Sequence, residues 1–163
     1  MAMIGVNKDG TYATLCALCE KPLTNPIFAT SHFIEDRTHE LYRFSDAAMH
    51  WECYCKWPDQ RRFAAMYFES IYAAVATENS SKYWPLLWSA PNAFVRYGLA
   101  VNEVSVVLKK SGTDIRVPRK HWLPWLGGEW VKQSRPGLEY EAVLAVLPHL
   151  QKLHLPDLKL GPQ

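Results

Sequence analysis

Two short residue pairs constrain this chain more than any other feature. Cys16 and Cys19 stand three positions apart, as do His50 and Cys53, and 30 residues separate the two pairs. In a reducing compartment cysteines seldom serve as disulfide staples, so their spacing is weighed as ligand spacing. Three thiolates and one imidazole suit a tetrahedral zinc ion. A knuckle turn lets the first two thiolates converge. Three positions along a helix rotate a side chain by about 300°, which leaves His50 and Cys53 neighbours on one face. Cys55 lies about 200° round the same helix from Cys53, so it stays outside the ligand set. A redox Cys-x2-Cys site needs its first thiolate at a helix N-terminus, whereas Glu20 and Pro22 follow Cys19 here, as in a metal knuckle. Four protein ligands leave the ion no position for water or substrate. The expected role is structural, a contribution on the order of 10 kcal/mol to folding by analogy with small zinc peptides.

Residues 16 to about 57, with a knuckle at Cys16 to Cys19, a hairpin and then His50 and Cys53 in the first turns of a helix, resemble a treble-clef or LIM-like zinc finger. The middle is longer than half of a LIM domain and no second zinc unit follows, so the resemblance implies one finger embedded in a bacterial-type protein. Treble-clef nucleases set a His-Asn-His group around a catalytic metal, and Met49-His50-Trp51-Glu52 offers none.

The chain of 163 residues is 48% hydrophobic, enough to close a sizeable core. The expected fold class is α+β: an N-terminal treble-clef-like zinc site with helices, then an antiparallel β-hairpin and a C-terminal helix. The expected organisation is a single compact domain over residues 1–163, with a zinc-binding subregion at 12–57 and a hairpin-plus-helix subregion at 98–154. Ile27 to Ile34 and Leu41 to Phe44 read as β runs around a charged loop, Glu35 to Glu40. Ser45 reads as the cap of a helix running to Lys56, and Asp59 starts the next helix after Pro58. That second helix ends at Asn79-Ser80-Ser81, and Tyr83 to Tyr97 reads as irregular. Val104, Val106 and Leu108 alternate, and Ser111-Gly112-Thr113-Asp114 supplies a turn before Ile115 and Val117, the clearest hairpin in the chain. Trp122 to Trp130 reads as a short helix or turn ending at Gly127-Gly128, and Leu138 to Leu147 as a helix stopped by Pro148. The tail from Leu155 reads as loosely held.

No apolar run approaches the roughly 20 residues a spanning helix needs, and Met1 to Gly10 lacks a signal segment, so the expectation is a soluble cytoplasmic protein. His32 and His39 have no ligand partner three positions away, and Glu35, Asp36 and Glu40 read as a solvated charged loop. Phosphate loops, nucleophile elbows and His-Glu-x2-His helices are missing, which makes an enzyme the less favoured class; a scattered site with His121 and Glu141 is its remaining form. The net charge of +2 conceals a basic second half. There Arg116, Arg119 and Lys120 run into Trp122 and Trp125, and Trp and Arg dominate hot spots at protein interfaces. The expected function is a non-enzymatic binding module, of the kind represented by a toxin-neutralising immunity protein or an adaptor. These five residues would contact another protein. The alternative is nucleic-acid binding through residues 116–130.

Overall fold

The computed structural model describes residues 2–75, 77 and 82–155. It is a mixed α+β structure whose chain divides into two compact units, Met1–Phe63 and Ala64–Gln163, where the sequence pattern had suggested one domain with two subregions. Among the described residues no helix is long and apolar enough to cross a membrane.

In the first unit a tight turn carries the first cysteine pair. The Cys16 amide donates to the Lys21 carbonyl and the Glu20 amide to the Cys16 carbonyl, both at 2.8 Å, and Glu20 takes a φ of 60°. Strand β1 (Ile27–Ala29) pairs antiparallel with β2 (Ala48–His50), in the register Ile27 to His50, Phe28 to Met49 and Ala29 to Ala48. Helix α1 (Trp51–Lys56) follows β2 directly. After Pro58, helix α2 (Gln60–Val75) begins, and its first turn still belongs to this unit. The core here is aromatic. Phe28 stacks on Tyr54 with ring centroids 3.8 Å apart, and Phe63 gathers Phe33, Phe44 and Trp57 around it.

Two expectations for this region are corrected. Leu41 to Phe44 is no strand: Tyr42–Phe44 forms one 3-10 turn, and the partner of β1 lies further on. Ser45 caps no helix, because its hydroxyl accepts from the amides of Phe33 and Ile34 at 2.7 and 3.0 Å and closes the loop instead. Asp46 takes a φ of 63°, and the buried Ala48 and Met49 then need the strand pairing that β2 provides. The helix therefore starts five residues later than a Ser45 cap suggested, at Trp51 after the N-cap His50.

The second unit is built on a four-stranded antiparallel meander: β3 (Leu86–Ala90), β4 (Ala93–Gly98), β5 (Glu103–Leu108) and β6 (Thr113–Pro118), in that order. The β5–β6 hairpin is the one the alternation of residues 104–117 implies. The β3–β4 hairpin overturns the irregular reading of 83–97. Pro85 precedes β3, Pro91 sits in the turn, and a register shift between Leu86 and Trp88 breaks the alternation that would have revealed the strand.

One sheet face packs Val95, Val104, Val106 and Leu108 against Trp122, Trp125, Trp130 and the last helix, α3 (Leu138–Leu150), through Val143, Val146 and Leu150. The other face sets Phe94 and Val107 against Phe68 and Val75 of α2. Arg119 to Gln133 is a run of short helical turns in which Gly128 adopts a φ of 134°, and helical structure resumes beyond it. Pro148 does not stop α3; it lies in the last turn, where its missing amide removes a single intrahelical bond. The expected helix end at residues 79–81 and the tail from residue 156 onward lie outside the described residues.

Candidate metal centre

The knuckle delivers Cys16 and Cys19, and the junction between β2 and α1 delivers His50 and Cys53. His50 is the last residue of β2 and the N-cap of α1; Cys53 lies in the first turn of α1. The pairing of β1 with β2 fixes this junction, and an amide of the junction reaches the knuckle directly: the His50 N–H donates to Cys16 Sγ at 3.3 Å. One ligand atom from each of the four residues lies within 4.8 Å of all the others. His50 Nδ1 is 3.3 Å from Cys19 Sγ and 3.7 Å from Cys53 Sγ. A tetrahedral zinc ion with ordinary bond lengths separates sulfur from nitrogen by about 3.5 Å, so the side chains fit such an ion.

The other ring nitrogen settles the tautomer. His50 Nε2 lies 3.0 Å from the Pro22 carbonyl, which can only accept, so Nε2 carries the proton and Nδ1 offers its lone pair to the cluster. A backbone carbonyl behind a ligating imidazole is the usual outer partner of a metal-bound histidine. His50 makes no side-chain cap bond to α1; its ring lies between the Pro22 carbonyl and the thiols of Cys19 and Cys53.

The thiols differ in electrostatic setting. Burial pushes the Cys16 thiol up, but the amides of Cys19, His50 and Leu18 outweigh it and bring it down to about 7. Burial, a hydrogen bond with Cys19 and the charge of Cys16 and Cys19 push Cys53 up to about 11. Three thiols this close cannot all ionise near neutral pH on their own. A divalent cation removes that conflict, and thiolate is the form that binds it.

The remaining sequence candidates separate from this centre. Cys55 is half-buried and outside the cluster. His32 packs edge-on against Tyr42, and His39 Nδ1 accepts from the Leu41 amide. Asp36 holds Thr38 in a local turn, and Glu40 pairs with Arg62. Glu141, one half of the scattered enzyme site, is engaged by Lys110 at 2.5 Å. Trp122 and Trp125 are corrected as contact residues. They are 2% and 0% exposed, stack on each other in the core and have no surface to offer a partner. Arg116 and Lys120 are exposed, while Arg119 lies over the Tyr97 ring. Sequence reasoning missed Arg96 and Trp84, which stand beside Arg116; the strand carrying Arg96 had been read as irregular.

These observations define a mixed α+β protein with a Cys3His centre able to hold a metal ion. Compared with known protein families, curated proteins and solved structures, the chain matches none.

Proposed function

We propose that this chain is a non-enzymatic protein-binding module whose first unit is stabilised by one zinc ion on Cys16, Cys19, His50 and Cys53, in a treble-clef-like arrangement of knuckle, paired strands and helix. The convergence of these four ligand atoms supports the metal part of this reading, and the exposed Arg116 and Lys120 support the partner part. A tetrahedral ion with four protein ligands has no position for water or substrate, so its role is to neutralise clustered thiolates and hold the knuckle to the β2–α1 junction. Such thiolate ligation fits a reducing cytoplasm. Arg116, Arg119 and Lys120 remain the proposed contact residues toward another protein; a toxin-neutralising immunity protein or an adaptor would have this character.

Affinity capture by the zinc-loaded full chain, with and without nuclease, tests the partner class. The expected result is a protein recovered in constant ratio whether or not nuclease is present. Recovery of nucleic acid alone would overturn the proposal in favour of nucleic-acid binding.

A further inference from the structure

On the face of the meander that carries Phe94 and Val107, strand register sets three side chains in a row: Arg96 on β4 faces Ser105 on β5, which faces Arg116 on β6. Asp114, two residues before Arg116, lies on the same face. Arg96 Nη2 donates to Asp114 Oδ2 at 3.0 Å, and Arg116 Nε and Nη2 approach that same oxygen at 3.4 Å. Ser105 donates to the other carboxylate oxygen and accepts from Arg96 Nε at 3.1 Å. Both guanidiniums also lie over the ring of Trp84, at 4.6 and 5.5 Å from its centroid. Gly98 makes room for that ring: a Cβ there would come within 2.7 Å of it.

Two guanidiniums thus share one carboxylate, and one positive charge is left over. The Arg96 side chain is 11% exposed and that of Arg116 43%. Among the described residues, Nη1 of neither arginine makes a hydrogen bond. We infer that this doublet of Arg96 and Arg116, mounted on Trp84, recognises a carboxylate in an acidic segment of the protein partner. The inference rests on the protein-binding reading and names the surface and chemistry of that binding. Guanidiniums already held by a ring and a carboxylate lose little freedom on binding, and their planar donors match a carboxylate. A nucleic-acid strand asks for rows of cations and open aromatic faces. Here Asp114 interrupts the row, guanidiniums cover Trp84, and Trp122 and Trp125 are buried. Glu103, two residues from Ser105 on this face, makes no ion pair with either guanidinium among the described residues, and its charge would oppose an incoming carboxylate.

The test titrates the zinc-loaded full chain with a labelled ten-residue peptide of alternating Glu and Ser, its Gln counterpart, and a single-stranded oligonucleotide of equal charge. The Glu peptide should bind in preference to both. Arg116→Gln should weaken it about tenfold or more, and Glu103→Gln should tighten it a few-fold, with zinc content and melting temperature unchanged. Equal binding of the Gln peptide, tighter binding of the oligonucleotide, or indifference to both substitutions would overturn the inference. A captured protein that Arg116→Gln still binds at full strength would overturn this inference alone, whereas failure to capture any protein counts against the binding-module reading itself.

Discussion

The two nitrogens of His50 are distinguished by what they touch, and this makes the centre a test case for single substitutions. Nε2 is fixed by the Pro22 carbonyl, so Nδ1 alone faces Cys19 and Cys53. Cys16→Ser or Cys53→Ser should release the ion and lower the melting temperature by about 10 °C or more, since losing even a few kcal/mol of metal-linked folding energy moves a small unit that far. Cys55→Ser, outside the cluster, should leave metal content and melting temperature unchanged. Differential scanning calorimetry with elemental analysis checks the set; equal losses from all three variants would mean the ligand set is wrong. In the metal-free protein the two shifted thiols act in opposite directions. Cys16 is held below its ordinary 9.0, so it contributes stability above pH 9 that is lost as pH falls through about 7. Cys53 is held above its ordinary 9.0, so it contributes stability below pH 9 that is lost as pH rises through about 11. Thiolate absorbance against pH should show one cysteine ionising near 7 before zinc is added, and all the ligand thiols ionised at neutral pH afterwards.

Elements show which physical signals reached the primary structure. The ligand pairs were legible because coordination depends on short spacings, and the β5–β6 hairpin was legible because Val104, Val106 and Leu108 keep a strict period of two. Helix α2 was visible in its spacing of Phe63, Tyr67 and Ile71. What failed had a common cause: long-range contacts overrode local chemistry. Ser45 has the chemistry of a helix cap, but the amides of Phe33 and Ile34 reach it first. His50 and Cys53 were expected within one helix, yet the strand pairing of Ile27 with His50 places the imidazole at the helix entrance. In β3 a register shift hid the alternation and so the β3–β4 hairpin, while Arg96 stands beside Arg116 through the pairing of β4 with β5 and of β5 with β6. Gly98 gives an element-scale prediction. Gly98→Ala would press a methyl group against Trp84, where a Cβ finds the ring 2.7 Å away, so the ring must move off the sheet. The expected cost is about 1–3 kcal/mol in chemical denaturation, with zinc content unaffected.

At the scale of the molecule, the proposed zinc ion is expected to matter more to the first unit than to the second. The second unit closes its core around Val106, Trp125 and Val143 with no part in the thiol cluster, whereas the first adds to its aromatic core a knuckle, three-residue strands and a short helix that meet at the thiols. Zinc binding also lowers the formal charge from +2 to +1, since three ionised thiols outweigh one divalent ion. Chelation should therefore remove hydrogen-exchange protection from β1, β2 and α1 while β4, β5 and β6 keep theirs. The most direct measurement is the metal content of the purified full chain by elemental analysis, alongside Cys16→Ser and Cys53→Ser. The account predicts one zinc per wild-type chain and well under one in each variant. A wild-type chain with only traces of zinc, or variants that retain a full equivalent, would contradict it.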